Sequence, residues 1–271
     1  MRTRGGGLAS PSRQGRVEIN IMKRTLFVGE SWTVHSIHQK GFDSFTTTEY
    51  QEGGGWLHAA LESGGWEVTY QPAHVAATHF PSSVEELRQY DCVILSDIGA
   101  NTLLLHPDTF VRGKALPDRL QVLHDWVVAG GGLVMVGGYL SFQGIDGKAR
   151  FAGTPVERAL PVTLLDHDDR AERPAGVAPL VRLPDHPLVA DVPAEWPSLL
   201  GYNVVAARPE AEVIATVDDA PLLAAWSHGQ GRAVAFTSDC GPHWAPQSFV
   251  GWDGYAPMWQ NIASWAASRL G

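Results

Sequence analysis

Apolar residues along the chain fall into short runs separated by amphipathic stretches. Residues 23–29 (KRTLFVG) form an apolar run with a polar stop and predict a first strand. Residues 54–63 (GGWLHAALES) place apolar side chains at helical spacing, and Gly64-Gly65 would end that helix. Residues 66–71 (WEVTYQ) alternate as a second strand. Residues 81–88 (PSSVEELR) carry proline and serine before acidic residues, the signature of a helix start. Residues 90–96 (YDCVILS) are apolar enough for a third strand buried on both faces. Residues 119–129 are amphipathic, Gly130 to Gly132 cap them, and 133–136 form a fourth strand. Strand and helix alternate with short connections. That predicts an α/β fold with a mostly parallel sheet, helices on both faces and right-handed crossovers.

From Phe151 the pattern changes. Residues 151–210 are rich in proline and acidic residues and show few clear helices. Residues 211–215, 222–226 and 232–237 read as strands, and the last two flank a turn at His228-Gly229-Gln230-Gly231, an antiparallel hairpin signal. Residues 258–270 (MWQNIASWAASRL) form a closing amphipathic helix. The expectation is one domain over 22–271, its sheet extended by antiparallel strands near the C-terminus. Residues 1–21 carry four arginines among Gly, Ser and Pro with no apolar centre, so a disordered tail is expected there and not a secretory signal. Met22 then reads as the natural start.

Composition narrows the partners. The formal net charge of −9 disfavours nucleic acid and anionic membranes, which need a basic face. No apolar run approaches the roughly 18 residues of a membrane span. Two cysteines, Cys92 and Cys240, make no disulfide framework, so a reducing cytoplasm is the expected compartment. The glycines at 53–55 lack the Lys-Ser/Thr of a phosphate loop, and no cofactor is expected.

Ligands of open parallel sheets bind outside the carboxyl ends of the strands. The residues there are Glu30, Ser31, Trp32, His35 and His38 after the first strand, and Asp97 and Asn101 after the third. Tyr139 and Ser141 follow the fourth, and Asp239, Cys240, His243 and Trp244 follow the last. They are polar and aromatic where a plain connector needs only turn residues, which points to a small-molecule site. Glu30, Asp97, Asp239 and His243 are the candidate acids and bases, and the others are candidate ligand contacts. Each has a structural alternative. Glu30 could cap a following helix, and the 97–102 loop could be held by Asx-type bonds. His35 and His38, three apart, could share a helix face as metal ligands, but nothing local supplies a third, so no metal is expected. Cys240 with His243 could form a thiolate–imidazole pair, or Cys240 could be a packed loop cysteine. Trp244, Trp252, Trp259 and Trp265 offer either core packing or a self-association surface for a homo-oligomer.

The segments GESW (29–32), KGFD (40–43), YDCVILSDIGANTLLL (90–105), GGGLVMVGGYLSFQG (130–144) and WSHGQGRAVAFTSDCGPHW (226–244), with the tryptophan-rich closing helix, resemble the class I glutamine amidotransferase-like family of bacterial proteins. DHPL (185–188), PLLAAW (221–226) and HGQGR (228–232) are also similar to ThuA-like trehalose-utilisation proteins and to a domain of some β-galactosidases. The resemblance implies a flavodoxin-like three-layer sandwich. It does not supply a reaction. The amidotransferase pattern needs a cysteine at the turn after the Met135 strand, where this chain has glycines followed by Tyr139 and Ser141. It also needs a His-x-Glu pair near the end, where this chain has His243-Trp244-Ala245. Three readings stand. The first is an enzyme using carboxylate and histidine acid–base chemistry on a small, polar, carbohydrate-type substrate. The second is a non-catalytic ligand-binding or oligomeric module on a degenerate scaffold. The third is a residual amidase using Cys240.

Overall fold

The computed structural model describes residues 22–268, so the expected tail at 1–21 and the end of the expected closing helix lie outside the described residues. The first half runs β1 (Arg24–Gly29), β2 (Ser31–Lys40), β3 (Asp43–Glu52), α1 (Gly55–Ser63), β4 (Glu67–Gln71), α2 (Ala73–His79), α3 (Val84–Leu87), β5 (Cys92–Ser96), α4 (Ala100–Leu104), α5 (Pro107–Phe110), α6 (Arg119–Val128) and β6 (Gly132–Val136). The second runs α7 (Pro155–Ala159), β7 (Val162–Leu164), β8 (Arg170–Val177), β9 (Leu180–Val181), β10 (Leu199–Asn203), β11 (Val205–Ala207), β12 (Glu212–Val217), β13 (Ala220–His228), β14 (Gly231–Phe236), α8 (Gln247–Val250) and α9 (Tyr255–Ala266).

Eight strands make the central sheet, in the order β4-β1-β5-β6-β14-β13-β12-β9. The first five are parallel, and β13, β12 and β9 add to them antiparallel. The fold is therefore α/β and flavodoxin-like, with the antiparallel extension that the strand pattern predicted. Successive strand residues point to opposite faces, so each strand feeds two layers. Phe27, Ile94, Val134 and Phe236 pack with Leu57 and Leu61 of α1 and with Trp259 and Ile262 of α9. Leu26, Val93, Leu95 and Met135 pack on the other face, against Leu103 of α4 and Leu120 and Leu123 of α6. β5 and β6 are buried at every residue, as their unbroken apolar runs require. Cys92 lies in this core, where burial pushes its thiol up to about 12.

Three expectations need correction. No helix follows β1; residues 31–52 form a β-hairpin paired residue for residue from Ser31↔Glu52 to Lys40↔Asp43. The β-branched Thr33, Val34, Ile37 and Thr46 to Thr48 favour extended backbone, and Gly41, at φ 64°, turns the chain. Glu30 therefore caps no helix, and His35 and His38 share no helix face. Second, α2 is an additional helix, fixed by tertiary contacts: Arg119 donates to the carbonyls of Ala76 (3.2 Å) and Ala77 (3.0 Å). Third, 151–210 holds two small antiparallel pairs, β8–β10 and β7–β11. The C-terminal tryptophans pack inward: Trp244 and Trp259 are buried, and Trp252 and Trp265 lean against the core. No helix among the described residues is long and apolar enough to cross a membrane.

Candidate functional site

Strand ends bring the site together. At Gly29 (φ +107°) a Cβ would lie 1.8 Å from the carbonyl oxygen of Ser96, so only glycine lets β1 and β5 close up at this edge. Glu30 follows with φ 46°, its N–H donating to that same oxygen at 2.9 Å. Asp97, directly after β5, has φ 43°. A left-handed non-glycine residue costs of order 1–3 kcal/mol, and such strain collects where a side chain must be aimed. Both carboxyls are aimed into one cavity of about 340 Å³. Its lining is Glu30, Trp32, Gly53, Asp97, Tyr139, Asp239, Gly241, Pro242 and His243.

Hydrogen bonds fix the acidic floor. Ser96 Oγ donates to Glu30 Oε1 (2.5 Å) and lies 3.6 Å from Cys240 Sγ. Leu140 N–H donates to Asp97 Oδ1 (2.6 Å), and Asp97 N–H donates to Ser141 Oγ (3.1 Å). Asp239 Oδ1 accepts from Gly241 N–H (3.0 Å), and its Oδ2 lies 3.4 Å from His243 Nδ1. Burial, and then the neighbouring Asp239 and Asp97, hold the Glu30 carboxyl well above its usual range. Asp97 is raised by burial and, less strongly, by Asp239. The bond to Asp239 raises His243. Glu30 and Asp97 are thus held above the ordinary carboxylate range, which favours their protonated forms.

The aromatic wall is braced from behind. Tyr139 meets His243 edge to face, with ring centroids 4.4 Å apart, and donates to Glu172 Oε1 (2.9 Å). Trp244 Nε1 donates to the other oxygen of Glu172 (3.0 Å), and the Arg170 guanidinium stacks 4.7 Å over the Tyr139 ring. The turn after β6, which carries Tyr139, is held by backbone bonds. Asn203 Oδ1 accepts from Gly138 N–H (3.0 Å) and Asn203 Nδ2 donates to Gly138 O (3.2 Å). Asp169 accepts from Asn203 Nδ2 (2.7 Å), Gln143 N–H (2.8 Å) and Gly144 N–H (2.9 Å).

Six of the sequence candidates, Glu30, Trp32, Asp97, Tyr139, Asp239 and His243, line one cavity. Ser31, Ser141, Cys240 and Trp244 are buried around it: Ser31 Oγ accepts from Ala73 N–H (2.7 Å), and Ser141 holds Asp97. Asn101 is not among them; it sits on α4 beside a separate groove with Gln143 and Asp146. His35 and His38 stand on the exposed hairpin, against Thr48 (3.0 Å) and Thr47 (3.3 Å). Sequence reasoning missed Ser96, Glu172, Asp169 and Asn203. Ser96 read as a strand end, and the other three fell in the stretch without a clear pattern.

The geometry also bears on nucleophiles and metals. A Cβ at Gly137 would meet the Thr237 carbonyl oxygen at 2.2 Å, so a thiol-bearing residue does not fit there without a backbone shift. Cys240 is fully buried, and burial together with Glu30 and Asp239 raises its thiol well above the ordinary value. His243 is engaged by Asp239 rather than by Cys240. A protonated, enclosed thiol is a poor nucleophile. Iodoacetamide at pH 8 should therefore leave both Cys92 and Cys240 unmodified in the native protein and label both in denaturant, read by mass spectrometry. Rapid native labelling of Cys240 would restore the thiolate reading. Among the described residues, Glu30, Asp239 and Cys240 could hold a metal ion, their ligand atoms lying within 4.8 Å of one another. A thiolate–carboxylate set of this kind suits zinc better than magnesium.

Residues 24–268 match the family model described as "Putative glutamine amidotransferase". Two cytoplasmic proteins of Salmonella typhimurium are similar at 44% identity and TM-score 0.87. The alignments cover 89% of this chain and 98% of the first, and 90% of this chain and 99% of the second, which is from strain LT2. A ThuA-like protein of Parabacteroides merdae shares the fold at 13% identity and TM-score 0.54, over 92% of this chain and 91% of its own. No curated protein matches the chain.

Proposed function

The chain belongs to the glutamine amidotransferase-like family, and from that scaffold we propose an enzyme that performs acid–base chemistry on a small, neutral, polyhydroxylated substrate of carbohydrate type. One observation carries the reading: a buried Glu30 faces the same cavity as Asp97 and the Asp239–His243 pair. Glu30 is placed to donate a proton to a leaving or carbonyl oxygen. His243, made more basic by Asp239, is placed to take one from a hydroxyl or a water. Asp97, fixed through one oxygen by Leu140 N–H, can accept a substrate hydroxyl with the other.

Substrate class follows from the lining. It contains three carboxyls and one imidazole, with no lysine or arginine. A phosphate or carboxylate substrate would meet three carboxyls and no lysine or arginine, whereas hydroxyl groups find acceptors. Trp32 and Tyr139 supply apolar faces against which a sugar ring can lie. The family's usual thioester chemistry has no support in this cavity, because the turn after β6 carries glycine where the nucleophile would stand. A cytoplasmic location, as for the two Salmonella relatives, fits the reduced cysteines.

The test is a thermal-shift screen of wild type and Glu30→Ala against neutral sugars, sugar acids, amides including glutamine, and divalent metals. A ligand at 100 times its dissociation constant adds about 2.7 kcal/mol. A neutral sugar should stabilise wild type, with the shift lost in Glu30→Ala and absent for the matching sugar acid. Stabilisation by sugar acids or glutamine alone would overturn the assignment. Sugar binding without turnover would leave a binding module on the same scaffold.

A further inference from the structure

Among the described residues, the β2–β3 hairpin pairs with no other strand. β3 is exposed at every residue, and β2 is buried only at its first, Ser31. Its contacts with the body lie at the root, through Ser31 on Ala73 and Tyr50 against His74. Yet it is not a polar loop. Ile37 is 76% exposed, Phe45 49%, and Phe42 at the tip is fully exposed. A two-stranded hairpin standing alone is marginal in water, and both its edges leave backbone groups unpaired.

The body carries a second apolar surface in the segment after β5. Phe110 and Val111 are each 75% exposed, and Leu104 and Leu105 beside them are partly so. Leu104 ends α4 and Phe110 ends α5, Leu105 and Val111 follow each of them, and the arm of the same chain leaves all four uncovered. Arg112 and Lys114 flank this patch and share Asp108, which leaves one positive charge in excess, while the arm sets Asp43, Glu49 and Glu52 against Lys40, an excess of two negative charges. One chain thus presents an acidic, apolar arm and an apolar patch with a basic rim, and neither covers the other.

We propose that the arm binds a second copy of this chain, seated on its Leu104–Leu105–Phe110–Val111 patch. Ten residues per strand make the arm about 33 Å long and roughly 10 Å wide, or about 330 Å² a face. Reciprocal exchange of two arms, each burying one face, removes roughly 1,300 Å² in total, within the size of stable interfaces. A self-complementary pair of surfaces is what a two-fold interface requires. Because Trp32 and Gly53 at the arm's root line the cavity, association would also fix the mouth of the site.

Sedimentation velocity on the full chain tests this. Wild type should sediment as a dimer. The Phe42→Asp/Phe45→Asp variant and the Phe110→Asp/Val111→Asp variant should each lose the dimer peak, with unchanged circular dichroism because all four positions are exposed. A monomeric wild type, or a dimer that survives either variant, would overturn the proposal.

Discussion

The Glu30→Gln protein will melt at a higher temperature than wild type at pH 8, and at nearly the same temperature at pH 4. Glu30 is 3% exposed, and burial first, then Asp239 and Asp97, raise its pKa well above the ordinary 4.5. In the unfolded chain the same carboxyl releases its proton near 4.5. The folded state therefore keeps a proton that the unfolded state has lost. That stabilising contribution is complete below about 4.5 and disappears as pH rises through the raised folded value. Glutamine can still accept from Ser96 Oγ and cannot ionise, so this decline is removed. Gains from relaxing an active site run to about 1–2 kcal/mol, or roughly 2–8 °C for a chain of this size. A shallower slope will remain from Asp97, raised in the same direction. The same variant should lose at least about 100-fold in turnover, the lower range for removing a general acid. Differential scanning calorimetry from pH 4 to 9 is the check. Parallel curves for the two proteins would show that Glu30 does not carry the buried proton.

Part of the site was legible in the sequence because of the sheet topology. Glu30, Asp97, Tyr139, Asp239 and His243 each follow a strand that its apolar run made visible, and a parallel sheet gathers such positions at one edge. The arm was not legible. It is exposed on both faces, so no inward-facing apolar alternation marks it, and His35 and His38 three apart imitate a helix. Asn101 follows a strand too, yet it enters α4 and is carried to another groove. The residues behind the site were hidden for a different reason. Asn203 reaches Gly138 across 65 positions, and Glu172 reaches Trp244 across 72. Lone polar residues in short strands carry no local pattern that announces such partners.

Asp169→Ala should be the most destabilising of these substitutions, though Asp169 lies outside the cavity lining. Its side chain is 1% exposed and accepts three hydrogen bonds, from Gln143 N–H, Gly144 N–H and Asn203 Nδ2. Alanine leaves the Gln143 and Gly144 N–H groups buried without this partner and Asn203 Nδ2 with only the Gly138 carbonyl, and each orphaned N–H costs about 1–3 kcal/mol. A loss of about 3–6 kcal/mol follows, against the 5–15 kcal/mol of a typical domain, and the melting temperature should fall by roughly 10 °C or more. The turn thereby loosened carries Tyr139, and its Leu140 N–H holds Asp97. Ligand-induced stabilisation should therefore vanish together with stability. Asp169→Asn keeps one acceptor oxygen and should lie between the two. Urea unfolding separates the cases: the midpoint should drop with the slope unchanged. A loss below about 1 kcal/mol in Asp169→Ala would mean that the glycine turn holds its shape without this carboxyl, and that Tyr139 and Asp97 are positioned by the backbone of β5 and β6 alone.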